Sequence, residues 1–192
     1  MPKLVPSSPD DTYVAPPTMR VGEADAVVVA AYEAYHQELF GFLQRTVRDE
    51  AAAQDLLQET FLRLMGEVRS GRAPENSRAW LYRVASNLAI SRGRRRATVV
   101  RWLTRYGVPE HQAAVEESPE AGAVRHEASD DLESALAQIS ADARAALILS
   151  GQGFSGAEIA QAIGRTGPAT RTLMCRARLR LRDILATQEA VR

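Results

Sequence analysis

The chain has 192 residues, with 24 Lys or Arg and 24 Asp or Glu, so its formal net charge at pH 7 is zero. This length suits one large domain or two small ones, and 45% hydrophobic with only 6% aromatic residues favours packed helices. Cys175 is the only cysteine, which excludes an internal disulfide, and the three histidines lack ligand spacing, so we expect no metal. Without a signal peptide or a run of 18 apolar residues, the chain is expected to be cytoplasmic, with no membrane insertion.

The N-terminal half is predicted to be a proline-rich disordered tail over residues 1–22, followed by a helical domain over residues 23–97. Its first helix begins near Glu23, its second spans about Ala51–Val68, and its third runs to about Arg95. The loop Ser70–Ser77 is indicated by its Gly, Pro and Asn content, and Ser77 or Asn76 can cap the third helix. Apolar residues at steps of three and four predict the inward faces, which include Tyr32, Leu39, Phe42, Leu56, Phe61, Leu64, Leu81, Ala85 and Leu88.

Periodicity fades over residues 98–131, where Gly, Pro and acidic residues gather, and this segment is predicted to be a flexible acidic linker. A second helical domain covers residues 132–186, and residues 187–192 form a tail. The expected fold class is therefore all-α, with two small helical domains joined by a flexible linker. The charge is unevenly distributed, because two arginine-rich blocks flank the acidic linker, which suggests a polyanion bound at two places.

The second domain has the pattern of a helix-turn-helix. Ser155 and Glu158 form a capping box for one helix, and Gly164 stands where a positive φ is expected after it. Thr166 can cap the next helix, since Pro168 falls in the first turn, where its missing N–H has no intrahelical acceptor. A basic helix at this place favours duplex DNA, with its arginines suited to phosphates. The alternative is an amphipathic helix with a solvated basic face.

The third helix carries a second unusual face. Trp80, Arg83, Asn87, Ser91 and Arg94 recur at steps of three and four, and they combine a stacking surface, phosphate contacts and a base-edge hydrogen bonder. This face predicts DNA with exposed bases, although Trp80 by itself is more typical of a half-buried core residue. On the second helix, the polar face of Asp55, Gln58 and Glu59 also carries Leu62. That face is either solvated or a patch for a protein partner.

Taken together, these motifs resemble those of the extracytoplasmic-function (ECF) sigma factors of bacterial RNA polymerase. "AAAQDLLQETFLRL" (Ala51–Leu64) resembles the region that grips the clamp helices of the polymerase. "SRAWLYRVASNLAISRGRRR" (Ser77–Arg96) resembles the region that melts and reads the −10 element, and Leu136–Leu185 resembles the domain that reads the −35 element.

The resemblance implies a promoter-specific initiation factor that is not an enzyme and needs no cofactor. Its expected partners are core RNA polymerase (clamp helices and flap), promoter DNA both duplex and single-stranded, and an anti-sigma factor. The implied polymerase-binding residues are Asp55, Gln58, Glu59 and Leu62. The implied −10 residues are Asn76, Arg78, Trp80, Arg83, Asn87, Ser91, Arg94 and Arg95. The implied −35 residues are Arg165, Thr166, Ala169, Arg171, Thr172, Leu173 and Arg176. The linker's carboxylates would mimic RNA phosphates in the polymerase's RNA path, unless the linker is only a spacer.

Three positions depart from the family pattern. Ser91 stands where an Asp is common and Gly93 where a large apolar residue is common, so we expect the third helix to end early or loosely. Leu173 replaces a base-reading arginine, and we hypothesise that it touches a thymine methyl group. Two alternatives stay open: a helix-turn-helix regulator that binds duplex DNA without polymerase, and a sigma-like adaptor that no longer reads promoters.

Overall fold

The computed structural model describes residues 21–106 and 127–190, and these residues form seven α-helices. The N-terminal region contains α1 (Val21–Val47), α2 (Glu50–Arg69) and α3 (Ser77–Arg105). The C-terminal region contains α4 (Glu127–Ala137), α5 (Ala141–Gly151), α6 (Gly156–Ala162) and α7 (Gly167–Ala190). No strand occurs within these residues, which confirms the all-α fold class. Residues 1–20 of the predicted tail and residues 107–126 of the predicted linker lie outside the described residues, whereas Val21 and Gly22, also predicted to be tail, belong to α1.

In the N-terminal region, α1, α2 and α3 pack around one apolar core. Asp49 caps α2 by accepting a hydrogen bond from the Ala52 N–H at 2.9 Å. Asn76, rather than Ser77, caps α3 by accepting from the Ala79 N–H at 2.9 Å. Fully buried side chains from all three helices fill the core, including Leu39, Phe42, Leu43, Leu64, Leu81 and Tyr82.

In the C-terminal region, α6 and α7 form the predicted helix-turn-helix. The Ser155–Glu158 capping box is present, and Gly164 has a φ of 65° at the turn, which confirms both predictions. Thr166 accepts from the Ala169 N–H at 3.4 Å, so Gly167 and Pro168 occupy the first turn of α7 as expected.

The two regions are packed against each other. A single hydrophobic cluster combines Phe42 and Leu64 of the N-terminal region with Leu149, Ile159 and Met174 of the C-terminal region. The turn of the helix-turn-helix lies against α3, because a Cβ atom at Gly164 would be 3.6 Å from Asn87 Oδ1. We refer to this arrangement as the docked state. Sequence periodicity had indicated two domains and a linker, without predicting this interface.

Arg144 of α5 connects three helices at the interface. Its buried guanidinium donates to the Thr46 carbonyl of α1 at 2.8 Å. It also donates to the carbonyls of Leu136 at 2.9 Å and of Ala137 and Ile139 at 3.2 Å each, at and just beyond the end of α4. A cation at two helix C-termini satisfies carbonyls that have no intrahelical donor and opposes the negative ends of both helix dipoles.

The extent of α3 corrects the sequence prediction. The helix continues to Arg105, ten residues beyond its expected end, and therefore covers part of the segment predicted to be linker. Gly93 neither ends nor loosens it. A Cβ atom at Gly93 would be 3.1 Å from the Ala141 Cβ, so this glycine permits the close approach of α3 and α5. Among the described residues, no helix is both long and apolar enough to cross a bilayer.

Candidate nucleic-acid interface

An exposed polar face runs along α3. Arg83, Asn87 and Ser91 are exposed on this face, as their spacing predicts. Trp80 is half-buried and packs against the core cluster, in agreement with the core alternative for this residue. The segment from Ser77 to Tyr106 contains no acidic residue of its own, so its arginines favour phosphates, and the carboxylates near this face come from other helices.

Two other residues predicted to bind DNA, Asn76 and Arg78, make contacts within the protein. Asn76 uses its side-chain oxygen to cap α3. Arg78 donates to Glu38 at 2.8 Å and lies 4.6 Å from the ring centroid of Phe154 in the C-terminal region. The hydrogen bond to Glu38 raises the pKa of Arg78 above its ordinary value. Arg78 thus joins the two regions in the docked state.

Asp142 of α5 binds arginines from both candidate DNA surfaces. Its Oδ2 accepts from Arg94 Nη2 at 3.0 Å and from Arg165 Nη2 at 2.6 Å, and its side chain is only 10% exposed. Burial alone would raise the pKa of Asp142, but hydrogen bonds from Arg165 and Arg94 outweigh it, and the pKa is lowered. Arg94 and Arg165 therefore share one carboxylate in the docked state.

The recognition helix α7 exposes most of its predicted contact residues. Thr166, Arg171, Thr172 and Arg176 are exposed, and Ala169 is half-buried. The Thr172 hydroxyl donates to the Pro168 carbonyl at 3.1 Å, so it is held against the helix. Arg171 and Arg176 have no ion pair among the described residues, and they remain available for phosphates. Arg95 of α3 is likewise exposed.

Leu173 of α7 contributes to packing. Its side chain is half-buried and packs against both hydrophobic clusters of the structure, including Leu136 and Ile139 in the smaller one. Part of the Leu173 side chain is therefore used for packing in the docked state, and its contact with a thymine methyl group stays a prediction. The physical reason is that position 173 lies beside Met174 and Ala177, at the edge of the buried stripe of α7.

A third surface is an apolar groove between α1 and α2, with a volume of about 590 Å³. Leu62, which is 48% exposed, and Gln58 line it, whereas Asp55 and Glu59 are outside its lining. Glu59 accepts from Arg63 at 2.9 Å. The groove unites two of the four residues that were expected to bind a protein partner.

Periodicity missed the α1 side of this groove. Tyr32, predicted to face the core, is 46% exposed and stacks on His36 with ring centroids 4.6 Å apart. Phe40 completes the apolar lining. A sequence signal was present in the aromatic residues at steps of four on α1, but helical spacing alone does not separate a core stripe from the wall of a groove.

The fold and these surfaces define a helix-turn-helix protein with a second basic helix face and an apolar groove. Residues 31–108 match the Sigma-70 region 2 family and residues 129–181 match the Sigma-70 region 4 family. The ECF RNA polymerase sigma factor SigX of Bacillus subtilis is 32% identical over 140 residues, covering 69% of this chain and 70% of SigX. The sigma factor CarQ of Myxococcus xanthus is 34% identical over 153 residues, covering 78% and 83%.

A solved structure of the sigma factor RpoE from Bartonella quintana, in complex with the anti-sigma factor NepR, aligns with a TM-score of 0.60 and 25% identity. The alignment covers 85% of this chain and 97% of RpoE. The chain belongs to the ECF sigma factors, which are promoter-specific transcription initiation factors of bacterial RNA polymerase.

Proposed function

We propose that the two regions divide promoter recognition between them. Residues 23–97 bind polymerase and engage the −10 element, and residues 132–186 bind the −35 element. The observation that carries this division is the presence of two separate exposed arginine-bearing helix faces, one on α3 and one on α7. The protein acts by binding, in the cytoplasm and without chemistry of its own, and it lowers the cost of melting by capturing exposed bases.

On α3, Asn87 supplies a side-chain amide that can pair with a base edge, and Arg83 supplies a phosphate contact. Both are exposed on a rigid helix, which positions them without an ordering cost. On α7, Arg171 and Arg176 anchor the helix to DNA phosphates, and Thr172 and Ala169 face the major groove of the DNA. Because arginine contacts to phosphates carry little sequence information, α7 would recognise the −35 element mainly through the position and shape of the DNA backbone.

The groove between α1 and α2 is the proposed docking site for a helix of core polymerase. Its apolar lining fits the buried face of a helix, and the exposed Asp55, next in sequence to the lining residue Gln54, can meet basic residues of the partner. Leu62→Asp should weaken binding to core polymerase by at least tenfold. Val29→Asp is a matched control, because Val29 is 55% exposed on α1 but does not line the groove.

The docked state bears on regulation. Three arginines must break their ion pairs before they can bind DNA: Arg94 and Arg165 with Asp142, and Arg78 with Glu38. RpoE in the related structure is in complex with the anti-sigma factor NepR. An anti-sigma factor that bound both regions of this chain at once would stabilise the docked arrangement.

The deciding experiment is transcription from purified components. The chain plus core polymerase should open and transcribe a promoter selected from random DNA, and neither component alone should do so. Asn87→Ala should reduce open-complex formation while leaving polymerase binding intact. Specific duplex binding without polymerase would favour an independent helix-turn-helix regulator, and polymerase binding without transcription would favour an adaptor.

A further inference from the structure

The exposed face of α3 does not end with the residues proposed for the −10 element. The steps of three and four that connect Arg83, Asn87, Ser91 and Arg94 continue without a break through Thr98, Arg101 and Arg105. All of these residues are exposed. The helical continuation over residues 97–106, here called the α3 extension, therefore presents the same face as the proposed −10 surface.

The α3 extension also carries two exposed aromatic side chains next to this face. Trp102 is 58% exposed and Tyr106 is 67% exposed, and their ring centroids are 4.6 Å apart. Arg101 and Arg105 make no ion pair with any of the described residues. A segment with exposed rings and arginines and without a carboxylate suits the binding of a polyanion. It differs in this from a helix end that is only solvated.

We propose that the α3 extension binds the backbone of duplex DNA adjoining the −10 element, on the side towards the −35 element. This inference rests on the proposed function of α3. Eleven residues separate Arg94 from Arg105, which corresponds to about 16 Å along a helix and to about five base pairs of B-DNA. The direction follows from the chain, because α3 leads on to the region proposed to bind the −35 element.

The chemistry favours a duplex backbone over the other occupants. Arg101, Arg105 and the Tyr106 hydroxyl are donors of the kind that contact phosphates, whereas no amide side chain is present to read bases. A protein partner would have to offer an acidic surface, and the exposed large apolar side chains of the α3 extension are only Val99 and the two rings, while Val100 and Leu103 are partly buried. Single-stranded DNA would stack on both rings, but the rings contact each other.

The first test is the salt dependence of promoter binding by the holoenzyme. The double substitution Arg101→Ala/Arg105→Ala should reduce the slope of log K against log salt by about 1.8, since each phosphate contact contributes about 0.9. Arg101→Lys/Arg105→Lys should restore most of the slope. The control Arg45→Ala/Arg69→Ala removes two exposed arginines from α1 and α2 and should leave the slope unchanged.

The second test locates the partner. A photo-crosslinking amino acid, p-benzoylphenylalanine, at position 102 of the full chain should form adducts with duplex DNA between the two promoter elements. Adducts with a polymerase subunit, with the acidic segment of residues 107–126, or with melted DNA would overturn the proposal, as would an unchanged slope in an active holoenzyme. Transcription by the wild-type holoenzyme reports separately on the proposed function, and Asn87→Ala distinguishes the −10 face from the α3 extension.

Discussion

A single carboxylate, that of Asp142, binds one arginine from each of the two proposed DNA-binding surfaces. Asp142→Asn keeps the shape of the side chain but leaves Arg94 and Arg165 close together without an anion. We expect this variant to shift the protein away from the docked state. The measurement is energy transfer between dyes on Cys175, the only cysteine and exposed, and on a second cysteine introduced by Glu33→Cys.

The same pair predicts a pH dependence. Because the pKa of Asp142 is lowered in the folded protein, its contribution to docking is present above the unfolded pKa of about 3.9 and is lost as the pH falls through the folded value. The wild-type protein should therefore stay docked at pH 7 and lose docking only below about pH 4. Below that pH, its energy transfer should equal that of Asp142→Asn. Asp183→Asn, whose partner Arg182 is exposed on the same helix, is the control. Equal energy transfer in all three proteins at pH 7 would contradict the prediction.

Leu173 shows how a single residue can serve packing where family comparison suggests recognition. Leu173→Arg should lower the free energy of unfolding by about 1–3 kcal/mol, because it places a charge among Leu136, Ile139 and Met174. Thr172→Arg, at the exposed neighbouring position, should cost less than about 0.5 kcal/mol. Urea denaturation of both variants makes the comparison. Equal stability of Leu173→Arg and Thr172→Arg would show that the side chain at position 173 does not contribute to the core.

At the scale of elements, α5 depends on the buried guanidinium of Arg144. Arg144→Met fills similar volume but leaves the carbonyls of Thr46, Leu136 and Ile139 without this donor. We expect a loss of roughly 3 kcal/mol, or about 10 °C in Tm for a chain of this size. Calorimetry is the measurement, and Arg45→Met, on the surface of α1, should change Tm by little. A Tm within about 2 °C of wild type would contradict the role given to Arg144.

The elements themselves were largely predictable, because their signals are local. Ser155, Glu158 and Gly164 specify the start of α6 and the turn after it through contacts within a few residues. The length of α3 was not predictable in the same way. A glycine at position 93 indicates a weak helix when only propensity is considered, but in the structure it makes room for Ala141, which is 48 residues further along the chain.

At the scale of the whole molecule, the docked state could not be predicted from sequence periodicity. A buried stripe on α1 or α6 indicates that an apolar face is covered, but it does not indicate by which helix. The interface is also held by polar groups, including Asp142 and Arg144, whose partners are distant in sequence. The spacing on α3 alone indicates the exposed positions of Arg83 and Asn87, whereas the partners of Arg94 and Leu173 come from other helices and are not indicated by spacing.

Gly93 provides the most direct test of the docked state. Gly93→Leu adds a side chain where even a Cβ would lie 3.1 Å from Ala141, and overpacking of this kind costs about 1–3 kcal/mol. The docked population should fall at least about fivefold, and α3 itself should not weaken, because leucine favours helix more than glycine does. Gly66→Leu is the matched control, since nothing lies within 4 Å of a Cβ at that position of α2.

The consequence for function follows from the arginines. With the regions separated, Arg94 and Arg165 no longer share Asp142, so the Gly93→Leu holoenzyme should form open complexes at least as readily as wild type. Position 93 is about 80° from Arg83 and about 120° from Asn87 around the axis of α3, so the substitution replaces no side chain of the proposed DNA-binding face. Energy transfer between Cys175 and a dye at position 33 measures separation, and open-complex formation measures activity. Lower energy transfer with lost activity would show that the docked arrangement supports promoter binding rather than opposing it.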